Sequence, residues 1–188
     1  MHDCHPQPAT QLPQGQTIAV MGSAFNPPTL GHADVIAQLD AVADAIWLVP
    51  AFAHAWGKAM APYGDRCAML DAFVADLHNP KVSVQAVEQD IAGDGPVYSI
   101  DLLDYLERHK PANSCLLLVL GPDNQAAFDQ FHRAADIQSR WACFFAQERL
   151  AVRSTALRAA LLAGESIDGF TTPGVARYLA DHSLYRAG

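Results

Sequence analysis

Three apolar runs constrain the fold more than anything else in the chain: Thr17-Ile18-Ala19-Val20-Met21, Ala45-Ile46-Trp47-Leu48-Val49 and Cys115-Leu116-Leu117-Leu118-Val119-Leu120. None shows the in-out alternation of a strand with one wet face. A strand apolar on both faces is covered on both faces, which in practice means a parallel sheet between layers of helices. The segments between the runs supply those helices. Ala33, Val35, Ile36 and Leu39 fall at helical spacing, as do Cys67, Met69, Leu70, Phe73, Val74 and Leu77 within 65–77, and Ile100, Leu102, Leu103, Tyr105 and Leu106 within 99–109. Shorter strands are expected at 82–87 and 141–146. Further helices are expected at 155–163, closed by Gly164, and from Pro173 to about His182. The predicted class is α/β: a single Rossmann-like, doubly wound parallel sheet with helices on both faces. Residues 1–16, rich in Pro and Gln, read as a flexible extension, and 17–188 as one domain. The His2, Cys4 and His5 cluster lies in that extension, and no metal site is assigned to it.

In such sheets ligands bind beyond the carboxyl ends of the strands, and those ends carry the unusual residues here. After Met21 comes Gly22-Ser23-Ala24-Phe25-Asn26-Pro27-Pro28-Thr29-Leu30-Gly31-His32, which opens the next helix. Glycine permits close backbone approach, and the first turn of a helix presents unpaired N–H groups to anions. Thr29 and His32 share one side of that turn. After Leu120 comes Gly121-Pro122-Asp123, whose carboxylate suits paired ribose hydroxyls or a helix N-cap. After Val49 comes a loop with His54, Trp56 and Lys58. This loop reads either as a flap that orders over bound nucleotide, with Trp56 against a ring or closing the cleft, or as a surface connection. Near the C-terminus, Arg153-Ser154-Thr155-Ala156-Leu157-Arg158 gathers hydroxyls suited to capping a helix and a guanidinium one turn on.

These motifs carry a resemblance. The first loop resembles the G-G-T-F-D-P-x-H-x-G-H loop of the nucleotidyltransferase superfamily, which transfers a nucleoside monophosphate from a triphosphate. Gly22, Phe25, Pro27, Gly31 and His32 keep the pattern; Ser23, Ala24, Asn26 and Thr29 depart from it. Residues 154–158 resemble the I-S-S-T-x-I-R motif of nicotinate and nicotinamide mononucleotide adenylyltransferases, with Arg153 in place of the first serine. The resemblance implies an ATP site made of Gly22, Ser23, Phe25, Asn26, Thr29, Gly31, His32, Gly121, Asp123, Ser154, Thr155 and Arg158. It implies a mononucleotide site drawn from Ala24, His54, Trp56, Lys58, Tyr98, Ser99 and Phe131. Phe131 either stacks on the pyridine ring or belongs to the core. His32, if protonated under the pull of bound triphosphate and against the opposing helix dipole, and Arg158 are the implied catalytic groups. Thr29 is expected to donate a hydrogen bond to a phosphate oxygen without carrying charge. Because Arg153 replaces serine, one phosphate contact is lost or supplied differently.

Composition narrows the partners. A formal charge of −8 argues against broad nucleic-acid binding, and a hydrophobic fraction of 51% with 17% charged residues fits a globular α/β chain. No apolar run approaches the ~20 residues needed to span a bilayer, so a cytoplasmic protein is expected. The expected function is adenylyl transfer from ATP to nicotinate or nicotinamide mononucleotide with release of pyrophosphate. Mg²⁺ is expected to be held through the substrate phosphates. Two alternatives stay open: a sibling transferase with another phosphorylated acceptor, and a non-catalytic nucleotide-binding regulator.

Overall fold

The structure, a computed structural model, describes residues 15–53, 60–93 and 95–186. Five strands, β1 (Gln16–Ser23), β2 (Ala45–Pro50), β3 (Val82–Val84), β4 (Ser114–Leu120) and β5 (Ala142–Phe145), form one sheet in the order β3-β2-β1-β4-β5. Every pairing is parallel. Among the described residues eight α-helices are interleaved: α1 (Leu30–Leu39), α2 (Tyr63–Leu77), α3 (Glu88–Ile91), α4 (Ser99–His109), α5 (Pro122–Ala126), α6 (Ala134–Arg140), α7 (Ser154–Ala163) and α8 (Pro173–Asp181).

The sheet splits the core in two, following the alternation of side chains along each strand. Ala19 and Met21 of β1, Ile46 and Leu48 of β2 and Val119 of β4 face α1, α2, α7 and α8. Ile18, Val20, Leu116, Leu118 and Leu120 face α4 and α6, meeting Ile100, Leu103, Leu106 and Ile137. Leu116 to Leu120 are all 4% exposed or less, so β4 is apolar on both faces because both are covered. Each such aliphatic side chain contributes about 1.5–3 kcal/mol by leaving water.

Several element ends differ from the sequence expectation for identifiable reasons. β1 does not stop at Gly22. The β1–β2 register carries it on through Gly22 opposite Val49 and Ser23 opposite Pro50. β3 ends at Val84 because the chain turns at 85–87 into the short helix α3. Helices α3 and α6, of 4 and 7 residues, are too short to show a helical period and were not expected; α5 follows β4, but Gly121 and not Asp123 is its N-cap. Gly164 closes α7 as predicted, at φ 71° with its N–H on the carbonyls of Ala160 and Leu161.

Strand order reverses between β1 and β4, which makes their carboxyl ends a topological switch point where the outgoing loops diverge. Among the described residues no helix is long and apolar enough to cross a membrane.

Candidate active site

A cavity of about 330 Å³ opens at that switch point. Its walls are the end of β1 with the start of α1 (Gly22, Ser23, Thr29, Gly31, His32), the end of β4 (Gly121, Asp123) and the approach to α7 (Glu148, Val152, Arg153, Ser154, Thr155). Three segments far apart in sequence thus meet in one volume, and most residues expected at the ATP site line it.

His32 is the third residue of α1, and its ring is fixed on three sides. The Thr29 backbone N–H donates to Nδ1 at 3.0 Å, the Phe25 ring packs at 4.9 Å, and Ser23 Oγ lies 3.4 Å from Nε2. Because Nδ1 accepts a backbone hydrogen bond, it carries no proton. The neutral tautomer therefore has its N–H on Nε2, facing the cavity wall. Burial lowers the imidazole pKa to about 4, so His32 is neutral before substrate arrives. Protonation of the ring, expected with bound triphosphate, therefore has to be driven by the phosphates against this burial. Protonation would also cost the Thr29 amide its acceptor.

Thr29 is itself a correction. It is fully buried, its hydroxyl donates to the Val152 carbonyl at 3.1 Å, and it sits 2.9 Å from His32 Nδ1. The hydroxyl ties α1 to the approach of α7 and is committed there, not to a phosphate. Gly31 makes the same junction tight: a Cβ at this position would lie 2.3 Å from the Val152 carbonyl oxygen. Gly31→Ala is expected to push the start of α7 away from α1, destabilising by about 1–3 kcal/mol. Thermal unfolding together with ATP binding checks this. A variant as stable and as tightly binding as the parent would show that the junction can yield.

Phe25, Asn26, Ser154 and Arg158 also have different roles from those expected. Phe25 is 1% exposed and packs in the core against His32. Asn26 is buried, and its Oδ1 accepts from the Ala61 N–H and the Tyr185 hydroxyl. The carbonyls of Asn26, Pro27 and Pro28 form a row without neighbouring proline N–H groups to pair with. Each carbonyl is gripped from the C-terminal part of the chain: Asn26 by Arg158 Nη1 at 2.6 Å, Pro27 by Ser154 Oγ at 2.7 Å and Pro28 by Thr171 Oγ1 at 2.8 Å. Ser154 is not the N-cap of α7, which is Arg153. Its hydroxyl bonds the loop instead, and Thr155 stands exposed on the cavity wall. Arg158 lines a separate cavity of about 280 Å³ with Met60, Ala61, Leu184 and Tyr185, and does not reach the first. The Ser-Thr-x-x-Arg segment thus holds the first loop in shape.

Asp123 reaches the cavity mouth, but its carboxylate is paired with Arg153, which also bonds Glu148. Among residues expected to meet a mononucleotide, Ala24 offers its carbonyl to Arg66 Nη1 at 2.9 Å. Tyr98 is 43% exposed and packs on the His132 ring at 4.7 Å, with Ser99 beginning α4 behind it. Phe131 packs edge-on against Phe128 at 5.3 Å, which favours its core role. None of these lines the first cavity. His54, Trp56 and Lys58 lie outside the described residues, as does the tail containing His2, Cys4 and His5.

Sequence reasoning missed Arg66 and Glu88. Arg66 is 1% exposed, yet no carboxylate among the described residues lies within ion-pair distance of it. Its guanidinium donates to the carbonyls of Ala24, Ala51, Phe52 and Ala61 at 2.7–3.3 Å. Glu88 accepts the Phe52 N–H at 2.8 Å, so the Phe52 peptide is held at both ends. This pair ties the β2–α2 loop to the β1–α1 loop. A signal existed: Arg66 sits at the head of the i, i+3, i+4, i+7 stripe completed by Met69, Leu70 and Phe73.

Burial raises the Glu88 pKa from 4.5 to about 7, while it lowers His32 from 6.5 to about 4. The two act oppositely on stability. His32 binds fewer protons folded than unfolded, so its contribution is present above pH 6.5 and is lost as pH falls toward 4. Glu88 binds more protons folded, so its contribution is present below pH 4.5 and is lost as pH rises toward 7. Between pH 4.5 and 6.5 the two largely offset each other. Relative to the parent, Glu88→Gln is expected to make unfolding free energy rise more steeply with pH across this window. His32→Ala should tilt it the other way, each by about 1–3 kcal/mol. Urea unfolding at the two ends of the window measures this, and curves parallel to the parent's would contradict it.

Comparison with known proteins agrees with this architecture. Residues 20–160 match the family model described as cytidylyltransferase-like. The chain is 31% identical to a protein of Anaeromyxobacter dehalogenans (strain 2CP-C) named "Probable nicotinate-nucleotide adenylyltransferase", over 92% of this chain and 98% of that one. A protein of the same name from Myxococcus xanthus (strain DK1622) is 28% identical over 89% and 94% of the two chains. Among solved structures, one assigned as a nicotinate-nucleotide adenylyltransferase from Vibrio parahaemolyticus superposes with a TM-score of 0.81 at 35% identity, covering 92% of this chain and 97% of that chain. The Plasmodium falciparum nicotinic acid mononucleotide adenylyltransferase, solved with NaAD, shares the fold at TM-score 0.72 and 16% identity, covering 90% and 97%. The shared length, the parallel sheet and the glycine-spaced loop opening α1 all lead to one family: the chain belongs to the cytidylyltransferase-like nucleotidyltransferases, among their nicotinate-nucleotide adenylyltransferases.

Proposed function

We propose that the chain joins the AMP part of ATP to nicotinate mononucleotide, releasing pyrophosphate, as a step of NAD biosynthesis. The observation that carries this reading is the convergence of β1, β4 and the α7 approach on one cavity, with His32 Nε2 and the first turns of α1 and α7 at its wall. The relatives' names favour the acid form of the mononucleotide over the amide.

The chemistry asks little covalent work of the protein. The 5′-phosphate of the mononucleotide is already a nucleophile at neutral pH and attacks the α-phosphorus of ATP in line, so no general base is needed. What the reaction needs is alignment and stabilisation of the charge that gathers between the α- and β-phosphates. Neutral His32 supplies a fixed N–H donor, and bound polyphosphate shifts its pKa back upward, toward a charged donor. The first-turn amides of α7 add donors at the same wall. Mg²⁺ is proposed to be carried on the substrate phosphates. When bound, Mg²⁺ neutralises part of the polyphosphate charge. Asp123 is assigned to the ribose, with Tyr98, Ser99 and the 54–58 loop on the mononucleotide side.

Turnover with ATP, Mg²⁺ and each mononucleotide in turn tests the assignment. Higher kcat/KM with nicotinate mononucleotide is expected. Higher kcat/KM with the amide would reverse the acceptor preference. Turnover only with a non-pyridine acceptor would favour the sibling-transferase reading.

A further inference from the structure

The cavity is electrostatically wrong for a triphosphate as it stands. Asp34, Asp123 and Glu148 all line it. Asp34 is matched by Arg149 at 2.9 Å. His32 is held neutral by burial and by the Thr29 amide on Nδ1. Among the described residues, Arg153 is the one Lys or Arg on the cavity wall, and it is occupied by two carboxylates. Asp123 follows β4, and Glu148 lies on the approach to α7.

Two features make that occupation easy to exchange. All three groups are well exposed, at 42% for Arg153, 71% for Asp123 and 41% for Glu148. Ion pairs so placed are weak, because water screens them and long side chains must be held still. A triphosphate offers the same planar fork several oxygens of higher charge density, and arginine matches phosphate in a bidentate way. Arg153 is also the N-cap residue of α7, so its side chain leaves the backbone where the unpaired first-turn amides begin. A phosphate drawn to those amides comes within the reach of its guanidinium.

We propose that Arg153 is a polyphosphate ligand of the ATP site, held in reserve by Asp123 and Glu148 and exchanged onto the phosphates as ATP enters. The exchange does two things at once. It delivers a permanent cation to a site whose Thr29 hydroxyl is committed to Val152, and it frees the Asp123 carboxylate to accept hydrogen bonds from the ribose. Residue 153 thus supplies by charge what the neighbouring positions cannot. This inference rests on the adenylyl-transfer reading, and its test separates the two.

Equilibrium binding of ATP and of adenosine, measured side by side on the full chain, is the experiment. Adenosine has no phosphate, so it reports on the integrity of the pocket and on the nucleoside part alone. Arg153→Ala is expected to weaken ATP by about tenfold to a hundredfold while adenosine binds as tightly or tighter, because Asp123 is then free for the ribose, and Arg153→Lys to recover part of the ATP loss. Glu148→Gln removes a competitor for the guanidinium and is expected to tighten ATP by a few fold. ATP affinity unchanged in Arg153→Ala overturns the proposal, as does equal loss of ATP and adenosine, which would make Arg153 a structural brace. Weaker ATP binding in Glu148→Gln also overturns it. A parent chain that binds neither ligand overturns the adenylyl-transfer reading itself, and this inference with it.

Discussion

His32→Ala is expected to lower kcat by about two to four orders of magnitude with only a modest change in ATP affinity. The split follows from geometry. The imidazole is not free to follow a ligand: Thr29 fixes Nδ1, Phe25 backs the ring, and the first turn of α1 carries the side chain. A donor so fixed is worth most where charge appears during reaction, because no reorganisation is left to be done at that moment. In the ground state the polyphosphate has other donors, so binding should survive. Steady-state kinetics with a separate ATP-binding measurement distinguishes the cases. An effect confined to KM would make His32 a binding group, and near-normal turnover would reject its assignment to the reaction.

Arg66→Met should produce the largest loss of stability, about 3–5 kcal/mol. Methionine fills much of the volume but donates nothing, and the carbonyls of Ala24, Ala51, Phe52 and Ala61 lose their shared partner, a side chain only 1% exposed. Arg66→Lys should recover only a part, because a single ammonium cannot fan across four oxygens. Denaturant unfolding measures both. A loss below about 1 kcal/mol for Arg66→Met would mean that the loops rearrange to satisfy their own carbonyls. Because Arg66 joins the loops after β1 and β2, a weakened mononucleotide interaction should accompany the loss, whereas a purely local role would leave it unchanged.

The sequence made the layered parallel sheet legible because burial on both faces removes polar residues from the inner strands, as Leu116 to Leu120 display. It made the position of the site legible because glycine spacing and a helix start are local features. What it did not reveal depends on partners distant in the chain. Nothing near Ser154 or Arg158 announces that they bond carbonyls of Pro27 and Asn26, more than 120 residues earlier. Thr29 reads as a phosphate donor until the Val152 carbonyl is seen to occupy its hydroxyl. Arg66 reads as a surface charge unless the apolar stripe of α2 is continued back to it. Phe25 and Asn26 belong to the same class: loop residues that support the site from behind.

Transfer of the α-phosphorus of ATP tests the central claim most directly. With ATP labelled at the α-phosphorus, Mg²⁺ and nicotinate mononucleotide, the account predicts that the label appears in a dinucleotide in equal amount to the pyrophosphate released. ATP labelled at the γ-phosphorus should deliver its label to pyrophosphate alone. Label that stays in ATP, or that leaves as AMP without a dinucleotide, would contradict adenylyl transfer by this chain.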